Sequence, residues 1–289
     1  MLAWGRRWTP LVAALLLALL CIGWAPRAVR LLQRLLTGDG SCVPLAAFER
    51  QCEPGSSSTP TACSAPGAGV PSRPATMVTL LRTNFSLCTI PKNMLSAAMS
   101  ITRFCIDKNE HRVYSREYLN RKEWTNVVIV RDPVDRLISG YLDKCFRSSR
   151  IWNCHGCGRE DFGCFVRANE RHLLGRFQPG FRWLSGIEDH FAPQNWFCRL
   201  HEDFQKFTVL WYGAEGFRER FVSLLRAPPA VGSEALWQLR ESRTHHVTSG
   251  WDANQRLRRL LRDDPQLLAS VVRTYYWDYK MLSLERVCV

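Results

Sequence analysis

The chain has 289 residues, 46% of them hydrophobic, which is enough for one large core or two small ones. Its formal net charge is +13, and residues 1–75 hold only 7 of the 39 basic and 3 of the 26 acidic residues, so the remainder carries about +9. This excess favours an anionic ligand or substrate. Nucleic acid is not an expected partner, because no helix-turn-helix, zinc-finger or Arg-rich pattern accompanies the charge.

The first predicted element is a membrane anchor. The run from Trp8 to Pro26 contains no charged residue and is long enough to cross a thin bilayer. A cleaved signal peptide is the alternative, but no small-x-small cleavage site follows the apolar core. We therefore predict a cytoplasmic tail at 1–8 and an uncleaved signal anchor at 9–25, in a single-pass type II orientation.

A luminal stem is predicted next, at 26–76, because Pro, Gly, Ser and Ala dominate its second half and cannot pack a core. The folded domain then covers 77–289. The one N-x-[ST] sequon begins at Asn84, at the start of a predicted strand, so burial competes there with glycosylation.

The twelve cysteines place most of the chain in an oxidising, luminal compartment. Cys21 lies in the anchor, which leaves eleven, so one thiol is expected to be free or to pair with a second chain. A zinc site and two local disulfides are both compatible with a close cluster, and the compartment favours the disulfides. The cluster consists of Cys145, Cys154, Cys157 and Cys164.

Strand and helix patterns alternate in the folded domain. Buried strands are predicted at 85–90, 127–130 and 207–213. Helical patterns follow them, with Asn93 and Asp132 as predicted N-caps and a break at Pro265 in the last helix. The alternation predicts an α/β fold, with a central parallel sheet and helices on both faces. Such sheets bind ligands beyond the carboxyl ends of their strands.

Two of these strand ends are basic. Lys92 follows the first strand, where the next helix could hold a phosphate with its N–H groups and the Ser96 hydroxyl. Arg131 follows the second strand, and Ser139 is expected on the polar face of the helix after it. The alternatives are a surface lysine on a turn and an Arg-Asp pair that closes a turn. Two basic ends in one sheet suit a ligand with two separated phosphates.

A family resemblance rests on these ends. "IPKNMLS" and "IVRDPVDRLISGY" resemble the two signatures of the sulfotransferases, and most closely the Golgi carbohydrate sulfotransferases of the chondroitin 4-O-sulfotransferase type. The segments at 188–198 and 275–282 are similar to later family elements. Met94-Leu95 is bulkier than in relatives, and Phe191 replaces a Trp. Each fixed position of the second signature is present, at Arg131, Asp132, Pro133, Arg136, Ser139 and Tyr141.

The resemblance implies a phosphate-binding strand–loop–helix like a P-loop, with 3′-phosphoadenosine-5′-phosphosulfate as donor and no metal. It also implies a glycan or proteoglycan acceptor, chondroitin-like, and a catalytic domain in the lumen of the Golgi apparatus. Lys92 and Ser96 are assigned to the 5′ side of the donor, and Arg131 and Ser139 to its 3′-phosphate. The implied donor-binding residues are Pro91, Lys92, Asn93, Met94, Leu95, Ser96, Arg131, Asp132, Pro133, Arg136 and Ser139.

Two side chains are predicted to be catalytic. Lys92 would neutralise charge on the leaving oxygen. His190 would take the proton from the sugar hydroxyl, with Glu188 and Asp189 in reserve, unless it only organises its turn. His245 and His246 are expected to contact substrate or nucleotide.

Two other functions fit parts of the sequence. A catalytically silent relative could bind acidic glycans through the basic face, although the two phosphate-binding sequences are both intact. A Golgi glycosyltransferase would share the anchor and stem, but the sequence contains no Asp-x-Asp triplet for a metal.

Overall fold

The computed structural model describes residues 42–52, 63, 77–102, 116–147, 154–175, 188–241 and 252–289. The predicted tail and anchor, most of the stem, and His245 and His246 lie outside these ranges. None of the helices in the described ranges has the length and apolar character needed to span a membrane. Within the described ranges, the residues of Pro44–Val287 with Val289 form one compact unit, and Cys42, Val43 and Cys288 belong to a second. The larger unit holds the sheet described next.

A four-stranded sheet forms the centre of the larger unit, in the order β2-β3-β4-β5. Strands β3 and β4 are parallel, as are β4 and β5. These strands confirm the three that the sequence predicts. Two further short strands, β1 and β6, contain Cys42 and Cys288, which are joined by a disulfide. The strands are β1 Cys42–Pro44, β2 Met77–Leu80, β3 Phe85–Cys88, β4 Thr125–Val130, β5 Thr208–Trp211 and β6 Arg286–Cys288.

The predicted parallel sheet is confirmed for β3, β4 and β5, but β2, an edge strand that the sequence analysis does not predict, runs antiparallel to β3. Only four residues separate the two strands, in a 3₁₀ turn at Leu81–Thr83 followed by Asn84. Asn84 has φ of 48°, in the left-handed region. A parallel pair needs a crossover of about a dozen residues, so this short connection can only reverse the chain.

Ten α-helices are present in the described ranges. They are α1 Glu49–Cys52, α2 Leu95–Ile101, α3 Arg116–Leu119, α4 Pro133–Tyr141, α5 Phe162–Leu174, α6 Leu200–Asp203, α7 Phe217–Leu224, α8 Pro229–Glu241, α9 Asp252–Asp263 and α10 Pro265–Met281. A π-helical turn at Leu142–Phe146 continues α4. Further 3₁₀ segments are Leu45–Phe48, Glu188–His190, Gln194–Arg199 and Phe204–Lys206. The predicted break at Pro265 is confirmed, since Asp264 caps α10 there by accepting from Gln266 N and Leu267 N.

Helices cover both faces of the sheet, as the alternation of strands and helices predicts. On one face, Phe85, Leu87 and Val127 pack with residues of α2, α7 and α8. On the other face, Val128 and Val130 pack with residues of α3, α6 and the end of α10. Neighbouring strand residues alternate between the two clusters, because successive side chains of a strand point to opposite faces.

In the described ranges, five disulfides join all ten cysteines. The bonds Cys145–Cys154 and Cys157–Cys164 confirm the predicted local pairing of the cysteine cluster. Cys88–Cys198 ties the end of β3 to the segment that follows Glu188–His190. The remaining pairs are Cys42–Cys288 and Cys52–Cys63. Cys21 and Cys105 lie outside the described ranges, so the predicted unpaired luminal thiol stays a prediction.

Candidate functional site

The loop after β3 is tied to the neighbouring strand by a side chain. Asn93 is buried, and its Nδ2 donates to Ile129 O at 2.9 Å and to Gln194 Oε1 at 2.7 Å. The prediction that Asn93 caps the next helix is therefore wrong. Met94 occupies the cap position of α2 with φ of 61° and no side-chain capping bond. Tertiary partners win here over the local capping preference of asparagine.

Lys92 lies in this loop with φ of 72°, and its ammonium group forms an ion pair with Asp143 of the π-helical turn. The two side chains are only 12% and 8% exposed. Lys144 Nζ lies 3.1 Å from the same carboxylate oxygen. Burial lowers the pKa of Lys92, and the hydrogen bond and charge of Asp143 oppose that shift. Burial also raises the pKa of Asp143, but Lys92 and Lys144 outweigh it and lower that pKa to about 2.

The other predicted contacts of the first loop differ in exposure. Ser96 is exposed on α2, whereas Pro91, Met94 and Leu95 are half-buried. Ser96 therefore lies at the protein surface, in the first turn of the helix that follows the loop.

Arg131 lies at the end of β4, beside the same loop. Its guanidinium carbon lies 5.0 Å from the ring centroid of Tyr212, and its Nη1 donates to Lys92 O at 3.4 Å. Its Nε is buried and has no hydrogen-bond partner in the described part of the chain. Burial lowers the pKa of Arg131, but a guanidinium remains charged at neutral pH. A half-buried cation with a donor to spare is suited to an anionic ligand.

The predicted start of α4 is confirmed. Asp132 accepts from Asp135 N at 3.0 Å, and Pro133 occupies the first helical turn. Burial raises the pKa of Asp132 to about 6, although the Val134 N–H and nearby arginines oppose the shift. One of these arginines, Arg258 of α9, also forms an ion pair with Asp135. Helix α9 is thereby held against the start of α4.

Arg136 has a positioning role in the structure. It is 1% exposed, so its charge does not reach the surface. Its guanidinium donates to Pro91 O at 3.0 Å, to Ala192 O at 2.6 Å and to Asp189 O at 3.0 Å. One side chain thus joins the loop of Lys92 to the segment that contains His190. A direct contact of Arg136 with a cofactor stays a prediction.

Helix α4 approaches the segment of His190 closely. A Cβ on Gly140 would lie 2.8 Å from the Phe191 ring and 3.1 Å from His190 O, so a side chain does not fit at this position. Ser139 is 6% exposed. The expectation that Ser139 lies on a polar helix face is therefore wrong, because α4 is covered on both sides.

His190 ends the 3₁₀ turn Glu188–His190 and is half-buried. Glu188, one of the two reserves for the base, has its Oε1 2.9 Å from His172 Nε2. Asp189, the other reserve, supplies the carbonyl that Arg136 contacts. The described contacts connect this turn to the Lys92 loop through Arg136. Whether His190 is the base stays a prediction.

Four polar residues at the site were not singled out in the sequence: Asp143, Gln194, Arg258 and Asp278. Gln194 is fully buried and contacts both Asn93 and Arg131. Asp278, equally buried, accepts from Gln194 N and Asn195 N, each at 2.8 Å. Gln194 and Asp278 lie in the two later segments that resemble the family. The signal for Asp278 was an acidic residue inside an otherwise buried helical pattern.

No group of three or more His, Cys, Asp or Glu side chains in the described ranges is arranged to hold a metal ion.

The geometry brings two cations together at one edge of the sheet. Strands β3 and β4 are adjacent and parallel, and Lys92 and Arg131 follow their carboxyl ends. Ligands of open α/β sheets bind at this edge. The fold and site therefore define an α/β protein with two cations at the carboxyl ends of adjacent parallel strands, where sheets of this kind bind ligands.

The sequence comparison gives this class a family. The model of the Sulfotransferase family matches residues 76–284, which include every described strand and helix of the site. The chain belongs to the Sulfotransferase family.

Three curated relatives, all from Caenorhabditis elegans, are similar to parts of the chain. The uncharacterized protein C18B2.2 is 29% identical over 55% of this chain and 47% of its own length. The putative sulfotransferase vep-2 is 37% identical over 38% of this chain and 37% of its own length. The carbohydrate sulfotransferase chst-1 is 21% identical over 63% of this chain and 60% of its own length. The chain thus spans between about a third and three fifths of these relatives. No solved structure is significantly similar to it.

Proposed function

We propose that the protein transfers a sulfuryl group from 3′-phosphoadenosine-5′-phosphosulfate to a hydroxyl of a glycan or proteoglycan sugar, with a chondroitin-like acceptor. The observation that carries the proposal is that Lys92 and Arg131 lie beside each other, just after the ends of adjacent parallel strands. Family membership and the similarity to the carbohydrate sulfotransferase chst-1 support it. We place the enzyme at the Golgi membrane, with the N-terminal anchor in type II orientation and the catalytic domain in the lumen.

The residues at the sheet edge fit a bisphosphorylated nucleotide. The buried Nε of Arg131 has no partner in the described ranges, and the ammonium of Lys92 lies against a carboxylate that an incoming anion can replace. We assign Arg131 and Ser139 to the 3′-phosphate and Lys92 and Ser96 to the 5′ side. Asn93, Gln194 and Arg136 hold the loops that carry these residues.

The bound donor supplies a sulfuryl group attached to a phosphate leaving group. In this proposal, Lys92 opposes the negative charge that grows on the bridging oxygen during in-line displacement. His190 takes the proton of the attacking hydroxyl, a role suited to a histidine near neutral pH. If His190 does not serve, Glu188 or Asp189 takes its place.

Transfer of labelled sulfate tests the proposal. The full chain, purified in detergent, is incubated with ³⁵S-labelled donor and a panel of desulfated glycosaminoglycans. We expect label in the chondroitin fraction. Label in another glycan alone would correct the acceptor. Calorimetric binding of adenosine 3′,5′-bisphosphate without transfer to any glycan would instead identify a catalytically silent relative.

A further inference from the structure

The ion pair of Lys92 joins two parts of the site that are 51 residues apart in the sequence. Asp143 lies in the π-helical turn Leu142–Phe146, between α4 and the disulfide at Cys145. π-Helical turns occur as local insertions within helices and are frequent at functional sites. The turn places a nearly buried carboxylate against the lysine that the proposed reaction needs.

We propose that Asp143 is a positioning residue, which keeps the Lys92 ammonium charged and in place until an anionic donor replaces the carboxylate. This inference rests on the proposed function, because it names what prepares Lys92 for the donor. An ion pair that only stabilises the fold is the opposing explanation.

The charges around Lys92 support the inference. Lys144, beside Asp143, and Arg131, at the end of β4, both disfavour a positive charge on Lys92, as does burial. Of the charged groups that act on Lys92 from the described residues, Asp143 alone favours the ammonium form. Loss of this carboxylate would therefore make Lys92 lose its proton at a lower pH.

The contacts also fix where the lysine lies. Arg131 Nη1 donates to the backbone carbonyl of Lys92 at 3.4 Å, and the carboxylate of Asp143 holds the ammonium group at the end of the Lys92 side chain. An arriving phosphosulfate can replace Asp143 at the ammonium group while the contact of Arg131 with the Lys92 backbone stays in place. Asp143 thus serves as a stand-in for the donor anion.

The first test measures the lysine itself and needs no donor. Competitive acetylation at a series of pH values, followed by peptide mass spectrometry, gives the pH midpoint at which Lys92 becomes reactive. In Asp143→Asn we expect this midpoint to fall by about one pH unit, a tenfold change in proton affinity. Asp143→Glu should largely restore it. Glu219→Gln, which breaks the exposed pair with Arg240, is the control and should leave Lys92 unchanged. An unchanged midpoint in Asp143→Asn would overturn the inference.

A second variant covers the case in which Asp143→Asn does not fold. Lys144→Gln removes a cation that disfavours the charged form of Lys92, so it should raise the Lys92 midpoint. A fall or no change in that variant would also count against the inference.

Catalysis supplies the second readout. The alkaline limb of kcat/KM reports groups of the free enzyme, whereas that of kcat reports the complex. In Asp143→Asn the kcat/KM limb should move to lower pH with Lys92, while the kcat limb moves less, because the donor anion then faces the lysine. Equal movement of both limbs would contradict replacement by the donor. An inactive wild-type protein would overturn the proposed function, and the acetylation midpoints would still decide whether Asp143 controls Lys92.

Discussion

Gln194 holds the backbone of Arg131 at both of its polar groups. Arg131 N donates to Gln194 Oε1 at 3.1 Å, and Gln194 Nε2 donates to Arg131 O at 2.8 Å. The same Oε1 accepts from Asn93 Nδ2 at 2.7 Å. A single buried amide therefore fixes the ends of β3 and β4 relative to each other, and with them the two cations of the site.

Removal of this amide should weaken both the fold and the site. In Gln194→Ala, buried groups of Arg131 and Asn93 lose partners, and each such loss costs about 1–3 kcal/mol. We expect the free energy of unfolding to fall by at least about 2 kcal/mol, with weaker binding of adenosine 3′,5′-bisphosphate. Chemical denaturation and calorimetry measure the two effects. Gln238→Ala is the control, since that amide donates to Glu234 of the same helix at 3.0 Å, away from the site, and its loss should change neither quantity. Unchanged stability of Gln194→Ala would mean that the hydrogen bonds of Gln194 to Arg131 and Asn93 do not stabilise the fold.

Stability at neutral pH should rise when Asp132 is replaced by asparagine. Burial raises the pKa of Asp132 in the folded protein to about 6, from 3.8. The folded state therefore binds the proton of Asp132 more tightly than the unfolded state does. The stability gained from this protonation is complete below pH 3.8 and is lost as the pH rises through about 6. Asparagine keeps the cap of α4 but does not titrate. Asp132→Asn should gain up to about 3 kcal/mol over the wild type between pH 4 and pH 7.

Chemical denaturation at the two pH values checks this. Asp264→Asn, which replaces the capping carboxylate of α10 at the surface, controls for the loss of a charge at a helix N-terminus. If the difference in the free energy of unfolding between wild type and Asp132→Asn does not change with pH, the pKa of Asp132 is not raised by burial.

Local signals were sufficient for much of the fold. The buried runs at β3, β4 and β5 and the Asp132-Pro133 helix start depend on neighbouring residues only, and the structure confirms them. Strand β2 was missed because four residues carry too little periodicity, and its antiparallel direction follows from a turn at Asn84. Ser139 is buried although helix periodicity predicts a polar face there, because the sequence does not show that the segment of His190 packs closely against this helix at Gly140.

The site was less accessible to sequence reasoning. Lys92 and Arg131 could be found because each follows a strand. Their partners are distant: Asp143 is 51 residues from Lys92, and Gln194 is 63 from Arg131. Nothing local in "YLDKC" shows that a π-helical turn directs its carboxylate to another loop. Asparagine is a common N-cap residue, so the sequence predicts that Asn93 caps the helix. Only the folded sheet supplies the partners, Ile129 O and Gln194, that its side chain binds instead.

Arg131→Ala should weaken binding selectively. If Arg131 contacts the 3′-phosphate, the loss of a charge-assisted contact should cost roughly 1.5–3 kcal/mol, about a ten- to hundredfold weaker affinity for adenosine 3′,5′-bisphosphate. A nucleotide without the 3′-phosphate should be affected much less. Arg131→Lys keeps the charge without the bidentate geometry and should fall between. Arg226→Ala, at an exposed position, controls for net charge. Equal losses for both nucleotides would make Arg131 a structural residue.

Lys92→Ala and His190→Ala should fail in different ways. Lys92 is proposed to act on the leaving oxygen, so its loss should slow transfer to every acceptor, including the slow transfer to water. His190 is proposed to act on the acceptor hydroxyl. Its loss should lower sugar sulfation by about 10²–10⁴-fold, the usual contribution of a general base, with nucleotide affinity nearly unchanged.

Calorimetry with the bisphosphate and turnover with a desulfated glycan separate the two roles. The physical reason is that the two groups serve opposite ends of the displacement, so donor hydrolysis depends on Lys92 but not on a base that is specific for the sugar. A change at His190 can also reach the nucleotide site, because Arg136 joins the turn of His190 to the Lys92 loop. A His190→Ala protein that loses nucleotide binding would therefore show that His190 shapes the loop. One that sulfates at a near-normal rate would pass the base role to Glu188 or Asp189.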